Sequence, residues 1–227
     1  WVKKNGEIIK NPLRSLTNIN RLPFIDYDIF GKKRLARPMF GKVYTMIHVE
    51  MDRGCPNNCT YCGAPQLKKF FQAQGCGTYY RRKNIDRLIA EMRHLVEKHK
   101  PDYVNFNSET FLAKPVEELK EFARKYKEIG LPFWCQTRPE TMTEEKVKIL
   151  KEMNCEALQF GIEHGNEEFR KNVLNRQGSN EQMLESLKLA EKYQIPYTVN
   201  NIIGFPDETR DLIFDTIEFN RQLNPRT

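Results

Sequence analysis

At 227 residues, with 39% hydrophobic and 30% charged side chains, the chain is long and apolar enough to bury a full core, and its composition excludes wholesale disorder. No apolar run approaches the ~20 residues that cross a bilayer, and WVKKNGEIIKNPLRS lacks the apolar block of a secretory leader, so a soluble protein with no membrane partner is expected. The net charge of +7, from 37 basic and 30 acidic side chains, suits an RNA partner or plain solubility and separates neither.

The chain opens on KNGEI, an Asn-Gly turn signal, and continues through NPLRSLTNINRLPFIDYDIF, which has no sustained periodicity. Residues 1–42 therefore read as an irregular connector ahead of a core over 43–227. VYTMIHVEM, from Val43, reads as a strand running into a cysteine loop. Asn84 is the predicted N-cap of a helix whose apolar face is Ile85, Leu88, Ile89, Met92, Leu95 and Val96. DYVNFN follows as a strand, then a helix from Pro115 to Gly130, the strand PFWCQT, and a helix starting near Thr141 or Thr143. ALQFGIE is the fourth strand, SNEQ has capping-box form before the next helix, PYTVNNIIGFP is the fifth strand, and a last helix bears Leu212, Ile213 and Ile217.

Strand and helix thus alternate five times without a hairpin, which predicts an α/β fold with a parallel sheet covered by helices and function at the carboxyl ends of the strands. Trp1 at the start, and a helical pattern running straight into NPRT, predict a piece of a longer protein.

RGCPNNCTYCGAP places Cys55, Cys59 and Cys62 in the loop after the first strand of that series. A chain of this size with six cysteines, three of them crowded together, reads as a metal site in a reduced compartment, hence the cytoplasm, rather than a disulfide framework. One reading is a structural zinc closed by Cys76 or His48, in a binding module without catalysis. The other keeps the number three: a [4Fe–4S] cubane ordinarily takes four cysteines, and with three one iron stays open to substrate.

CxxxCxxC with Tyr61 just before the third cysteine, in the loop after the first strand of a βα series, resembles the radical S-adenosylmethionine (radical SAM) enzymes. The resemblance implies a partial (βα)6 TIM-like barrel, here cut short near its sixth unit. It implies that the open iron is chelated by the amino and carboxylate groups of S-adenosylmethionine. Reductive cleavage then yields methionine and a 5′-deoxyadenosyl radical. It further implies a small-molecule substrate and a reductant such as flavodoxin or ferredoxin.

On that resemblance, Tyr61 belongs to the cofactor site, Glu109 in NFNSETF meets the SAM amino group and Glu163 in GIEHG meets the ribose. Arg176 in VLNRQ faces the SAM carboxylate, and Arg138 in QTRPE points into the same cleft. Ile202 and Gly204 in NNIIGFPD match the motif that supports adenine. Ser108 stands where relatives have an acid, His164 where they more often have Ser, and Asn200 and Asp207 depart from the adenine motif. Ile202 reads as core in any interpretation. Cys76, Cys135 and Cys155 read as small buried hydrophobes, and His48, alternating with apolar neighbours, as a packed or hydrogen-bonded imidazole. YYRRK has the aromatic and basic mixture of an RNA contact but equally of a solvated helix approach.

RLPFIDYD in the opening segment resembles the connector between a cobalamin-binding domain and the radical domain. This makes a cobalamin-dependent methyltransferase, its corrin held mainly by an upstream domain, the leading expectation. An RNA-modifying methylthiotransferase is the second. Radical chemistry asks the protein mainly to position cofactors and exclude water, so no side chain is assigned as acid or base.

Overall fold

The computed structural model describes residues 1–226. A short hairpin opens the chain: β1 (Val2–Lys4) and β2 (Glu7–Ile9) turn through Asn5 and Gly6, both with positive φ, as the Asn-Gly signal predicts. Next come β3 (Ala36–Met39), β4 (Lys42–Glu50) and the two-residue β5 (Asp52–Arg53). The cysteine loop leads into α1 (Gly63–Ala73), β6 (Arg81–Arg82) and α2 (Ile85–His99). Then β7 (Tyr103–Asn107), α3 (Val116–Tyr126), β8 (Phe133–Thr137) and α4 (Glu144–Glu152) alternate. The chain closes with β9 (Cys155–Glu163), α5 (Glu167–Asn172), α6 (Asn180–Lys192), β10 (Tyr197–Asn201) and α7 (Arg210–Asn220).

The main sheet has the order β10-β9-β8-β7-β4-β3; β4, β7, β8, β9 and β10 run parallel and β3 is an antiparallel edge. It curls into a half-barrel. Alternation along each strand divides the residues: Ile47, Val49, Val104, Phe106, Phe133, Cys135, Leu158 and Phe160 meet the helices in one apolar core. Phe106 sits at its centre, with ring centroids of Phe133, Phe111, Phe122 and Tyr126 at 5.0, 5.4, 5.7 and 5.7 Å. Cys76, Cys135 and Cys155 are buried free thiols, as expected. Burial pushes the Cys135 thiol up, so it stays protonated and inert.

The helix starts follow local chemistry. Ser179 and Gln182 form the predicted capping box of α6, and the Thr143 hydroxyl caps α4. Asn84 holds the N-cap position of α2 without a side-chain cap; its backbone N–H instead donates to Asn20 Oδ1 at 2.7 Å.

Three features depart from uninterrupted βα alternation. β3 pairs with β4 in a hairpin, so the sheet begins at Ala36, inside the segment read as connector. α1 precedes α2, and none of its residues is fully buried, which is why hydrophobic periodicity does not reveal it. α5 is a single extra turn and a half before α6. The opening segment is strapped to α2 and β4: Ile25 N–H donates to Glu91 at 3.0 Å and Phe24 stacks on His94 of α2, and the Tyr27 hydroxyl donates to the His48 carbonyl of β4 at 2.6 Å. Among the described residues no helix is long and apolar enough to cross a membrane.

Candidate functional site

The carboxyl ends of β4, β7, β8 and β9 open on one cleft of about 200 Å³, and Cys55, Cys59 and Cys62 form one wall of it. The loop that carries them is held at both ends. Gly54, with φ +85°, lies so close to Tyr79 that a Cβ would sit 2.7 Å from the Tyr79 carbonyl, so only glycine fits. Further on, Thr60 N–H donates to the Leu174 carbonyl at 3.2 Å and Asn175 Nδ2 to the Asn58 carbonyl at 2.9 Å, tying the loop to the segment after α5.

Each of the three sulfurs has its own N–H donor. Asn57 Nδ2 lies 3.4 Å from Cys55 Sγ, Arg138 Nη1 3.8 Å from Cys59 Sγ, and the Ala64 backbone N–H 3.4 Å from Cys62 Sγ at the start of α1. Donors of this kind suit sulfur that carries negative charge as a metal ligand, and such hydrogen bonds tune a cluster's potential. Among the described residues no three His, Cys, Asp or Glu side chains converge tightly enough to hold one ion. The two fourth ligands a zinc site required lie elsewhere: buried Cys76 hydrogen-bonds the Gln74 carbonyl, and His48 is engaged by Asn105. The donor set therefore fits a polynuclear group held by three thiolates and not a four-ligand zinc.

Opposite the thiols runs a chain of alternating charges. Arg138 pairs with Glu140 at 3.1 Å, Glu140 with Arg176 at 2.9 Å, and Arg176 with Glu163 at 3.1 Å. Arg176, with a side chain 1% exposed, also donates to the Gly161 carbonyl at 2.7 Å, so its fork is fully committed. Glu163 is aimed by two backbone features. Its φ of +70° is sparsely populated for a side-chain-bearing residue, and the bare Gly161 leaves the space its carboxylate fills: a Cβ there would meet Glu163 Oε1 at 2.1 Å. Burial pushes the Glu163 carboxyl up, more than Arg176 and the Tyr61 hydroxyl pull it down. Burial acts the same way on Glu140, but there Arg176 and Arg138 outweigh it and hold the carboxyl below its usual range. Burial, then the negative charge of Glu163, raises the Tyr61 phenol far above its ordinary value, so Tyr61 is a neutral donor at the cleft.

Eight of the ten residues singled out in the sequence line this cleft: Cys55, Cys59, Cys62, Tyr61, Glu109, Arg138, Glu163 and Arg176. Ile202 and Gly204 do not. β10 ends at Asn201 after a register slip against β9, which leaves Ile202 half-buried outside the core cluster and Gly204 exposed with φ +91°. Sequence reasoning passed over Asn57, Thr110, Gln136 and Gln159, which also line the cleft, and Glu140, which pairs with two of its arginines. Gln136 and Gln159 were findable, since both fall on inward positions of β8 and β9 by simple alternation.

His164, the departure noted in GIEHG, is fully buried; Asn166 N–H donates to its Nδ1 at 3.0 Å, and its Nε2–H donates to Glu208 at 3.0 Å. Glu208 in turn accepts from the backbone N–H groups of Gly204 and Phe205, and Phe205 reaches the Tyr61 ring with centroids 6.1 Å apart. The pair therefore locks the loop after β10 against the loop after β9. His164→Leu is expected to lower stability by roughly 1–3 kcal/mol, the usual cost of orphaning a buried acceptor. Amide hydrogen exchange over 202–208 should rise with it; unchanged exchange there means the loop is held by something else.

Residues 49–219 match the sequence pattern of the radical SAM superfamily. The chain belongs to that superfamily. It is 28% identical over 227 residues to an uncharacterized methyltransferase of Pyrococcus horikoshii, covering 98% of this chain and 46% of that one. It is 26% identical over 220 residues to the ribosomal protein uS12 methylthiotransferase RimO of Clostridioides difficile, covering 91% and 47%. The chain thus spans about half the length of these curated relatives. Its fold superposes on OxsB, a cobalamin-dependent S-adenosylmethionine radical enzyme, with a TM-score of 0.74 at 14% identity, over 99% of this chain and 33% of that one.

Membership supplies the two groups that the cleft fits, a [4Fe–4S] cluster and S-adenosylmethionine. When bound, they would supply an electron and a cleavable sulfonium. In this radical SAM chain Cys55, Cys59 and Cys62 are the thiols that would hold such a cluster, with Asn57, Arg138 and the Ala64 amide as donors to their sulfurs. Glu109, Arg138, Tyr61 and Glu163 ring the remaining space with charge and hydrogen-bonding capacity.

Proposed function

We propose that the complete protein is a cobalamin-dependent radical SAM methyltransferase acting on an unactivated carbon of a small molecule. The observation that carries this reading is the connector: the likeness to OxsB takes in 99% of the chain, beyond the barrel itself, and the connector is strapped to α2 by side-chain and ring contacts. The Pyrococcus relative, matched over 98% of the chain, is named a methyltransferase. The corrin would be held mainly by a domain upstream of the connector. A reduced, cytoplasmic setting suits six free thiols, and a flavodoxin or ferredoxin suits as electron donor.

Within the cleft, Glu109 takes the SAM amino group and Glu163 the ribose hydroxyls. The carboxylate goes to Arg138 rather than Arg176. Arg176 is committed to Glu140, Glu163 and Gly161, whereas Arg138 Nη1 has only the Cys59 sulfur, beside the cluster, where the methionine end must sit. Arg176 then positions Glu163.

The RimO match favours one other reading, a methylthiotransferase. The two are separated with the complete protein, reconstituted anaerobically with iron and sulfide, reduced, and supplied with hydroxocobalamin and methyl-labelled SAM. The methyltransferase reading expects cobalamin to stay with the protein through gel filtration and the labelled methyl to reach product without sulfur. A protein that retains no cobalamin and delivers label as a methylthio group overturns it.

A further inference from the structure

Between the cysteine loop and the segment that carries Glu109 lies a buried ion pair that lines no part of the cleft. Asp52, the first residue of β5, stands three positions before Cys55, and its side chain is 1% exposed. Lys114, at the far end of NSETFLAK, is 6% exposed; its Nζ lies 3.5 Å from Asp52 Oδ2 and donates to the Phe111 carbonyl at 3.0 Å. Ser108, also buried, donates its hydroxyl to the same Asp52 oxygen at 2.7 Å. Burial is the largest influence on both charges and pushes Asp52 up and Lys114 down, each toward its neutral form. A pair held against that penalty is weak evidence of stabilisation, since apolar side chains of similar size often serve the fold as well. What this pair does is grip one short segment.

Glu109 sits in that segment between two held neighbours. Ser108 on one side is fixed by Asp52, and the Met51 N–H donates to the Asn107 carbonyl just before it at 3.1 Å. On the other side Thr110 is buried, with Oγ1 3.5 Å from the same Asn57 amide nitrogen that donates to Cys55 Sγ, and the Phe111 N–H donates to the Gln136 carbonyl at 2.9 Å. Glu109 itself is exposed in the cleft wall, and among the described residues no hydrogen bond or ion pair holds its carboxylate.

We propose that Asp52 is a positioning residue for S-adenosylmethionine: through Ser108, and with Lys114 balancing its charge, it fixes the Glu109 main chain relative to the cysteine loop, so that only side-chain rotation is left to settle when the methionine ammonium arrives. This rests on the reading that Glu109 takes the SAM amino group. Placing the acceptor in advance removes part of the ordering cost from binding. It also accounts for the hydroxyl at position 108, where an acid would set a second carboxylate against Asp52.

The test uses the complete protein, reconstituted anaerobically with iron and sulfide, and two probes. One is SAM; the other is methylthioadenosine, which keeps the nucleoside and the sulfur but lacks the amino-acid end. Asp52→Leu combined with Lys114→Met replaces the pair by apolar side chains and should keep the melting temperature and the iron content. It is expected to weaken SAM binding about tenfold, the worth of one hydrogen bond to a charged group, and to leave methylthioadenosine binding unchanged. Ser108→Ala, which leaves the pair in place, should do the same and covers the case in which the double variant fails to fold. In a Glu109→Gln background neither change should weaken SAM binding further, because the carboxylate they place is gone. Unchanged SAM binding in a folded variant, equal weakening of both probes, or losses that simply add to that of Glu109→Gln overturn the role of Asp52 and leave Glu109 as the ammonium acceptor. A Glu109→Gln chain that binds SAM as tightly as the parent overturns the assignment of Glu109 and the proposal with it.

Discussion

Cys59→Ala is expected to leave a folded chain that retains no stable cluster: iron and acid-labile sulfide fall from about four each per chain to background, and SAM cleavage falls with them. Cys59 is the buried member of the three and the one whose sulfur faces Arg138. Removing it leaves two thiols, one of them exposed, which cannot hold a cubane against exchange. Cys135→Ala is the matched control. Its thiol is fully enclosed among β8, the neighbouring strands and the helices, so its loss costs roughly 1 kcal/mol of packing and leaves iron content untouched. Full iron and sulfide in the Cys59 variant would mean that the polypeptide supplies another ligand, and the three-thiolate account of the cleft would be lost.

The cleft was legible because the thiols that wall it are local in sequence. Cys55, Cys59 and Cys62 sit on one loop, and the order of strands and helices alone places that loop at the carboxyl end of the sheet. Glu163 and Arg138 were legible for a similar reason, each standing at the end of a strand that alternation identifies. What joins them was not legible. Glu140 lies 36 residues from Arg176, and nothing in RPE shows that its carboxylate will cross to the segment after α5. The same holds for Glu208, 44 residues from His164: the departure from the family pattern at His164 was visible, its partner was not. β3 and α1 escaped for a different reason. Both lie at the periphery with no fully buried residue, so burial never imposed a periodicity on them. Ile202 shows the limit from the other side: an apolar residue in a stretch that reads as strand reads as core until a register slip ends the strand at Asn201, just before it.

The two carboxylates that flank Arg176 make opposite predictions, and together they separate cofactor binding from stability. Arg176→Met leaves Glu163 without a cation and Glu140 with Arg138 alone. Breaking a buried pair in this way costs about 3–5 kcal/mol, or roughly 6–20 °C in melting temperature for a chain of this size at pH 7. Glu140 has a depressed pKa, so its contribution is present above the ordinary glutamate range and is lost as pH falls through its folded value. The gap between parent and variant should therefore narrow below about pH 4. Glu163 has a raised pKa: the folded chain binds that proton more tightly, so its charge opposes folding above the folded value and ceases to do so below it. Glu163→Gln should consequently melt no lower than the parent at pH 7, while Arg176 keeps Glu140 and the Gly161 carbonyl. The same variant is expected to weaken SAM binding about 10- to 100-fold, since it exchanges a charged acceptor for a neutral one at the ribose. Glu163 is strained to φ +70° and its charge does not favour the fold, so the expected effect of the variant is on binding rather than on stability. A Glu163→Gln chain that melts many degrees lower yet binds SAM as tightly as the parent would make Glu163 a structural half of an ion pair and leave the ribose without its acceptor.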